Sequence, residues 1–333
     1  MTYETGNPAI IGDYNSFIGT PTGVTSGEDT STVAFANDTE ATQAVAALVG
    51  VGFGQRGYGQ TSFILPQLAV GDVISSSHWT NLRNAIENIG NHQGTSLTNL
   101  VPATLLETGD TIVAHDGVPP TNNELNSFIS TLDTNRFNTD SGASMTLTTS
   151  AHTETRTTSW SSTIDTTVTA TWATPDAARY FFNSGGELRV ILSHSNTSTD
   201  QNIDWNNVLS NVVGTITLNA TTTTQSATSA AGTVSNIGYY DLTTSNQRIY
   251  DGTNIGSGAY VSNDVFIDAR YTGLTTNGAR GSQVVFTITL QDQHTGTEDT
   301  VASGTIARFD VFRATTHLTG IPAPSWATTE TFD

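Results

Sequence analysis

The sequence predicts a mainly β protein, an antiparallel β-sandwich domain with a smaller helix-containing N-terminal region. Three observations predict it. From about residue 141 onward, apolar residues alternate with Thr, Asp and Ser, the period-two signature of strands with one buried face. Turn signals such as Asp251-Gly252 and Thr295-Gly296 separate these runs, as an antiparallel sandwich requires. Earlier in the chain, apolar residues instead recur at three- and four-residue steps between Gly-rich loops. The expected organisation is a helix- and loop-rich assembly region over 1–140, the sandwich over 141–318, and an extended C-terminal arm over 319–333.

Taken in order, Asn37 to Glu40 reads as a capping signal, and an Ala-rich helix is expected over 41–49. Residues 50–59 hold five glycines and must be loop. A second helix is expected from about 77 to 89, where Trp79, Leu82, Ile86 and Ile89 form one apolar face. A third begins at Thr121, with Glu124 completing a capping box, and buries Leu125, Phe128, Ile129 and Leu132. Strands follow where Ile164, Val168, Ala170 and Trp172 alternate with Asp165, Thr167, Thr169 and Thr171. Leu188, Val190 and Leu192 repeat the pattern, then Ile216 and Leu218, then 260–271, then Val284, Phe286, Ile288 and Leu290, then 302–313. Helical inserts over 176–182 and 204–213 are expected to cap the ends of the sandwich. The low-complexity segment 221–232 is expected to be an exposed loop. Pro322 and Pro324 bar helix or central strand from the tail, which leaves an arm whose Ile321 and Trp326 dock in subunit contacts.

Composition narrows function. Charged residues make up 12% of the 333-residue chain, against about 25% in ordinary soluble domains. Thr, Ser, Asn and Gln must therefore cover most of the surface, and these groups stay neutral at any pH. There is no Lys, the eleven basic residues are all Arg, and the net charge is −19. Such a balance disfavours contact with nucleic acid phosphates and with anionic membranes. With no Cys and no Lys, neither disulfides nor Lys–Asn isopeptide bonds are available, so packing, strand pairing and oligomerisation must supply stability. The start of the chain lacks a basic, then apolar, leader pattern, and no apolar run approaches the ~18 residues that span a bilayer. A chain made and kept soluble, or released by lysis, is expected.

Motifs for chemistry are sparse. Gly52-Phe53-Gly54-Gln55-Arg56-Gly57 has dinucleotide-loop spacing but follows a helix and lacks the later acidic residue. It reads as a flexible loop, in which Arg56 is free to anchor a carboxylate on a neighbour. Asp200, Asn202 and Asp204 place oxygens at alternate positions, as a calcium loop begins. Trp205 stands where that loop needs Gly, and a helix with Asp204 as its N-cap explains the same residues. The seven histidines, His115 among them, show no zinc spacing. No Gly-x-Ser-x-Gly elbow is present, and Glu298-Asp299 falls in an expected turn. No catalytic residue and no cofactor is expected. Adjacent strand residues point to opposite faces, so one of Tyr239 and Tyr240 is expected outward, available to stack on a sugar.

The run Asp176-Ala177-Ala178-Arg179-Tyr180-Phe181-Phe182-Asn183-Ser184-Gly185-Gly186-Glu187-Leu188-Arg189 resembles a segment of virion structural proteins of tailed bacteriophages, notably those of cyanobacteria and marine bacteria. Thr5-Gly6-Asn7-Pro8, Asp13-Tyr14-Asn15, Gly57-Tyr58-Gly59-Gln60, His92-Gln93-Gly94-Thr95 and Ile237-Gly238-Tyr239-Tyr240-Asp241-Leu242-Thr243-Thr244 are similar to others. The resemblance implies a particle component of the tail, neck or another appendage, assembled in the host cytoplasm, with other virion proteins and further copies of itself as partners. An alternative is a tail fibre or capsid decoration module that binds a host surface glycan. Read physically, the same run is a folding motif. Asp176 after Pro175 starts a short helix, Arg179 pairs locally, Phe181 and Phe182 plug the sandwich, and Gly185-Gly186 turns the chain into a strand.

Overall fold

A computed structural model describes residues 11–98, 100, 125–273, 275–296 and 300–332. Strands pair into two antiparallel sheets. The five-stranded sheet runs β1 (Met145–Thr155), β10 (Thr305–Ala314), β3 (Glu187–His194), β4 (Thr215–Leu218), β5 (Thr223–Ser226). The six-stranded sheet runs β11 (Ser325–Glu330), β2 (Thr163–Thr171), β9 (Gln283–Gln291), β8 (Asp264–Thr272), β7 (Gln247–Gly252), β6 (Thr233–Val234). The expected mainly β, antiparallel sandwich is thus what forms. In β3 the alternation is complete: Leu188, Val190, Leu192 and His194 are buried while Glu187, Arg189, Ile191 and Ser193 face outward. Phe286 of β9 meets Phe309 of β10 across the layers, with ring centroids 5.8 Å apart.

Helices close both ends. α7 (Pro175–Asn183) has Thr174 as N-cap and Pro175 in its first turn, the position where proline's missing N–H costs nothing. Its Phe181 and Phe182 are fully buried against Trp172, with centroids at 5.2 and 5.6 Å, so the expected plug is present. α8 (Asp200–Asn207), continued by a π-helical turn over Val208–Val213, covers the other end. There Trp205 meets Trp160 edge-on at 4.9 Å.

The N-terminal region is held by α1 (Ile11–Ile18), α4 (Ser76–Gln93) and α5 (Leu125–Thr134). Trp79, Leu82, Ile86 and Ile89 are buried as their spacing predicts, and Tyr14 and Phe17 of α1 close on Trp79 at 5.6 and 6.0 Å. The helix expected over 41–49 is instead two short ones, α2 (Asp38–Ala41) and α3 (Val45–Val49). Gln43, with φ 57°, breaks them apart, a backbone conformation that no helix can continue through. Asn37 does cap α2, accepting the Glu40 amide at 2.9 Å. Thr121, Glu124, His115, Glu298 and Asp299 lie outside the described residues. Of the third helix's apolar set, Phe128, Ile129 and Leu132 are buried.

Three further expectations are corrected. Within 221–232, Thr223–Ser226 forms edge strand β5 and Thr223 is buried. The strand expected over 260–271 starts at Asp264, after a 3₁₀ turn at Gly258–Tyr260. The tail is extended but docks on its own chain rather than on another subunit: Ser325–Glu330 is edge strand β11, paired with β2, and proline stays just outside it.

Candidate binding surface

The Gly-rich loop 50–59 is where the helical region meets the sandwich, and it is built for that contact. Arg179 of α7 is fully buried and donates to the carbonyl oxygens of Arg56 and Val51, while its Nε reaches Asp176 at 3.1 Å. Asn183 Nδ2 donates to Gly57 O at 3.0 Å and Gly54 O at 3.2 Å. Tyr240 Oη lies 2.8 Å from Gly54 O and 2.7 Å from Asn183 Oδ1. Gly59 shows why the loop is Gly-rich: with φ 68°, a Cβ there would stand 2.5 Å from the Tyr180 ring. The loop's carbonyls are buried acceptors, and α7 supplies the donors they require.

Arg56 does not reach toward a neighbour. It is buried and paired within its own chain, with Nε 2.6 Å from Asp133 Oδ1 on α5 and Nη1 on Asp38. A flexible-loop reading missed this because the acidic partners are distant in sequence. The same holds for the tail. Ile321 is buried, its carbonyl accepts from Arg313 at 2.8 Å, and Thr319 and Gln60 bond each other reciprocally at 2.8 and 3.1 Å. Trp326 stacks on His152 at 6.2 Å and packs on Phe309 at 5.0 Å. Arg56 and Ile321, expected at a subunit contact, are therefore spent on internal ones, while Trp326 is half-buried against its own sandwich.

Tyr239 and Tyr240 are both buried, at 0% and 6% exposure, so neither is free to stack on a sugar. They lie in a 3₁₀ turn, Tyr239–Asp241, where the alternation of a strand does not apply. Tyr239 stacks on Phe182 at 4.1 Å and donates to Gly281 O at 3.1 Å. Burial pushes its hydroxyl up to about 12 and that of Tyr240 well above the ordinary value.

Asp200, Asn202 and Asp204 do not converge either. Thr199, not Asp204, caps α8, and residues two apart on a helix face different directions. Asp200 is exposed. Asn202 Oδ1 accepts from His194 Nε2 at 3.0 Å and Ala302 N at 2.9 Å. Asp204 accepts the Ser257 amide at 3.0 Å, and burial raises its carboxyl above the usual range. Among the described residues, no three His, Asp or Glu side chains gather to hold a metal ion.

What the structure does assemble is an open groove of about 650 Å³ across the outward face of the five-stranded sheet. Its floor is one cross-strand row: Thr153 on β1 opposes Arg308 on β10, Arg308 opposes Ile191 on β3, Ile191 opposes Thr215 on β4, and Thr215 opposes Ser226 on β5. Ser193 and Ile306 form a second, shorter row beside it. Ser210 of the π turn, Thr228 and Ser150 complete its polar lining. Ser150, with φ 52°, sits in the bulge of β1. Arg308 is half-exposed and paired through Nε and Nη2 to Asp310 at 3.1 and 3.2 Å. None of the lining residues carries a carboxylate or an imidazole, and the neighbouring Asp310 carboxylate accepts from Arg308 and from the Ser150 amide at 2.7 Å. Outward Thr and Ser at alternate positions were the only sequence signal for this surface, and alignment across five strands cannot be read from one strand.

A second exposed feature lies on the helical region. Val70 and Val73 are 101% and 82% exposed, and Ile64 is 59% exposed. Val70 lies on a turn over 69–72 tied by three hydrogen bonds, and Val73 follows it. Asp72 N donates to Ala69 O at 3.0 Å, Gly71 takes φ 104° as a type II turn needs, and Asp72 Oδ2 accepts from Ala69 N and Ser26 Oγ, both at 2.7 Å.

Comparisons with protein-family models, with curated proteins and with solved structures return no match for this chain.

Proposed function

We propose that the chain is a non-enzymatic structural component of a tailed-phage virion, in the tail, neck or another appendage, that works by assembling with copies of itself and with other virion proteins. It is assembled in the host cytoplasm and needs no cofactor. The resemblance of the segment from Asp176 to Arg189 motivates the virion setting. The observation that carries assembly is the clamped turn bearing Val70 and followed by Val73. Scattered exposed apolar residues are ordinary, but Val70 on a turn fixed by three hydrogen bonds, with Val73 directly after it, forms an ordered apolar projection.

The strand edges support the same route by elimination. β5 and β6 are short, at 4 and 2 residues, and bulges interrupt both β1 and β11. Short and bulged edges resist strand addition, so contacts must form through faces and projections. With a net charge of −19, copies repel, and salt screens that repulsion over about 10 Å. Light scattering of the purified chain should therefore show self-association that strengthens with salt. The V70D/V73D double variant should keep the wild-type melting temperature and lose that association. A wild-type chain that stays monomeric at every salt concentration and joins no particle overturns the proposal.

A further inference from the structure

We infer that the groove on the five-stranded sheet is a binding site for a neutral, polyhydroxylated ligand, a linear oligosaccharide in chemical class. Nothing in its lining is built to hold charge. Arg308 is the one charged group among the lining residues, and Asp310 already neutralises it through two hydrogen bonds. The chain's net charge of −19 repels polyanions. The hydroxyls of Thr153, Thr215, Ser193 and Ser226 each offer one donor and two acceptor lone pairs, which is also the inventory of a sugar hydroxyl. Ile191, between Arg308 and Thr215 in the row, gives the C–H face of a sugar ring an apolar seat.

The dimensions suit a chain rather than a single ring. Five strands at about 4.8 Å spacing make the row roughly 19 Å long, and the groove lies within the usual range of ligand pockets of about 300–1,000 Å³. The Thr and Ser hydroxyls of the row do not titrate in the physiological range. No aromatic residue is in the lining, so binding at one site rests on hydrogen bonds and a small apolar seat and is expected to be weak. Repeated copies on one particle then supply avidity.

The test is saturation-transfer NMR on the full chain with maltohexaose, cellohexaose and N-acetylchitohexaose, and with hexagalacturonate as the anionic probe. At least one neutral hexasaccharide should bind, and hexagalacturonate should not. The isosteric T153V/T215V variant removes two hydroxyls and should weaken binding roughly tenfold or more. S193F fills the groove and should abolish binding. Thermal melts check that both variants fold, and if S193F does not, T153V/T215V decides the matter. V70D/V73D should bind sugar like the wild type, which separates this site from the assembly contact. Failure of all three neutral probes, undiminished binding by T153V/T215V, or preference for hexagalacturonate overturns the inference.

Discussion

Replacing Arg179 by Leu removes the group that ties the Gly-rich loop to α7. The guanidinium is fully buried and donates to Val51 O and Arg56 O. Leu retains apolar volume but donates nothing to those carbonyls, of which Arg56 O is buried and Val51 O part-buried. A buried acceptor stripped of its donor costs about 1–3 kcal/mol, so the two together cost about 4 kcal/mol. Loss of the stack on the Tyr180 ring, 4.8 Å from the guanidinium carbon, adds roughly 1 kcal/mol. Relief from burying a charge offsets part of this, leaving a net loss of about 3–5 kcal/mol. Urea unfolding reads the loss as a lower midpoint at constant slope. Hydrogen exchange should show the Tyr58 and Gly59 amides, which donate across the loop to Leu48 O and Gly50 O, opening before the strands. R179K should fall between the two, because an ammonium cannot match the guanidinium fork. A loss under about 1 kcal/mol with loop protection unchanged would refute the assignment of Arg179 as the tie.

Three other outcomes follow from the same packing. His92 is buried with Nε2 3.1 Å from Ser184 O, and burial lowers its pKa to about 4 from the ordinary 6.5. Because the folded chain resists a proton that the unfolded chain binds, this part of the stability is complete above pH 6.5 and falls as pH drops toward 4. The fall amounts to about 3 kcal/mol; melting temperatures over this range should show it, and H92Q should flatten the profile. D133N strips Arg56 of a buried partner held at 2.6 Å and should cost about 3–5 kcal/mol in urea unfolding, whereas D38N, whose side chain is 68% exposed, should cost under about 1 kcal/mol. W326A removes the rings' contact with His152 and Phe309. It should cost about 2 kcal/mol and speed exchange along β11 while β9 keeps its protection.

The strands with clean alternation, β2, β3 and β9, were legible because a sheet with one dry face imposes a two-residue period on the chain itself. β1 was not. Its first half, from Thr146 to Ser150, is exposed on both faces, so no alternation marks it, and it exists because β10 offers a pairing edge. α1 was missed for a related reason, since eight residues give too little periodicity to read. The candidate sites fared worse than the fold. Tyr239 and Tyr240 were placed on a strand by local pattern, and the loop 50–59 turns that segment inward by offering Gly54 O to Tyr240.

The sequence by itself determined the class of fold, the face each regular strand buries, the plug of Phe181 and Phe182, and a surface of hydroxyls without lysine or cysteine. Tertiary structure alone decided where Arg56 and Ile321 are spent, where Trp326 packs, and which outward hydroxyls share a row. The physical reason is distance along the chain. Periodicity and caps act over a few residues, whereas Thr153, Ile191, Thr215 and Arg308 become neighbours only through backbone pairing between segments far apart in sequence.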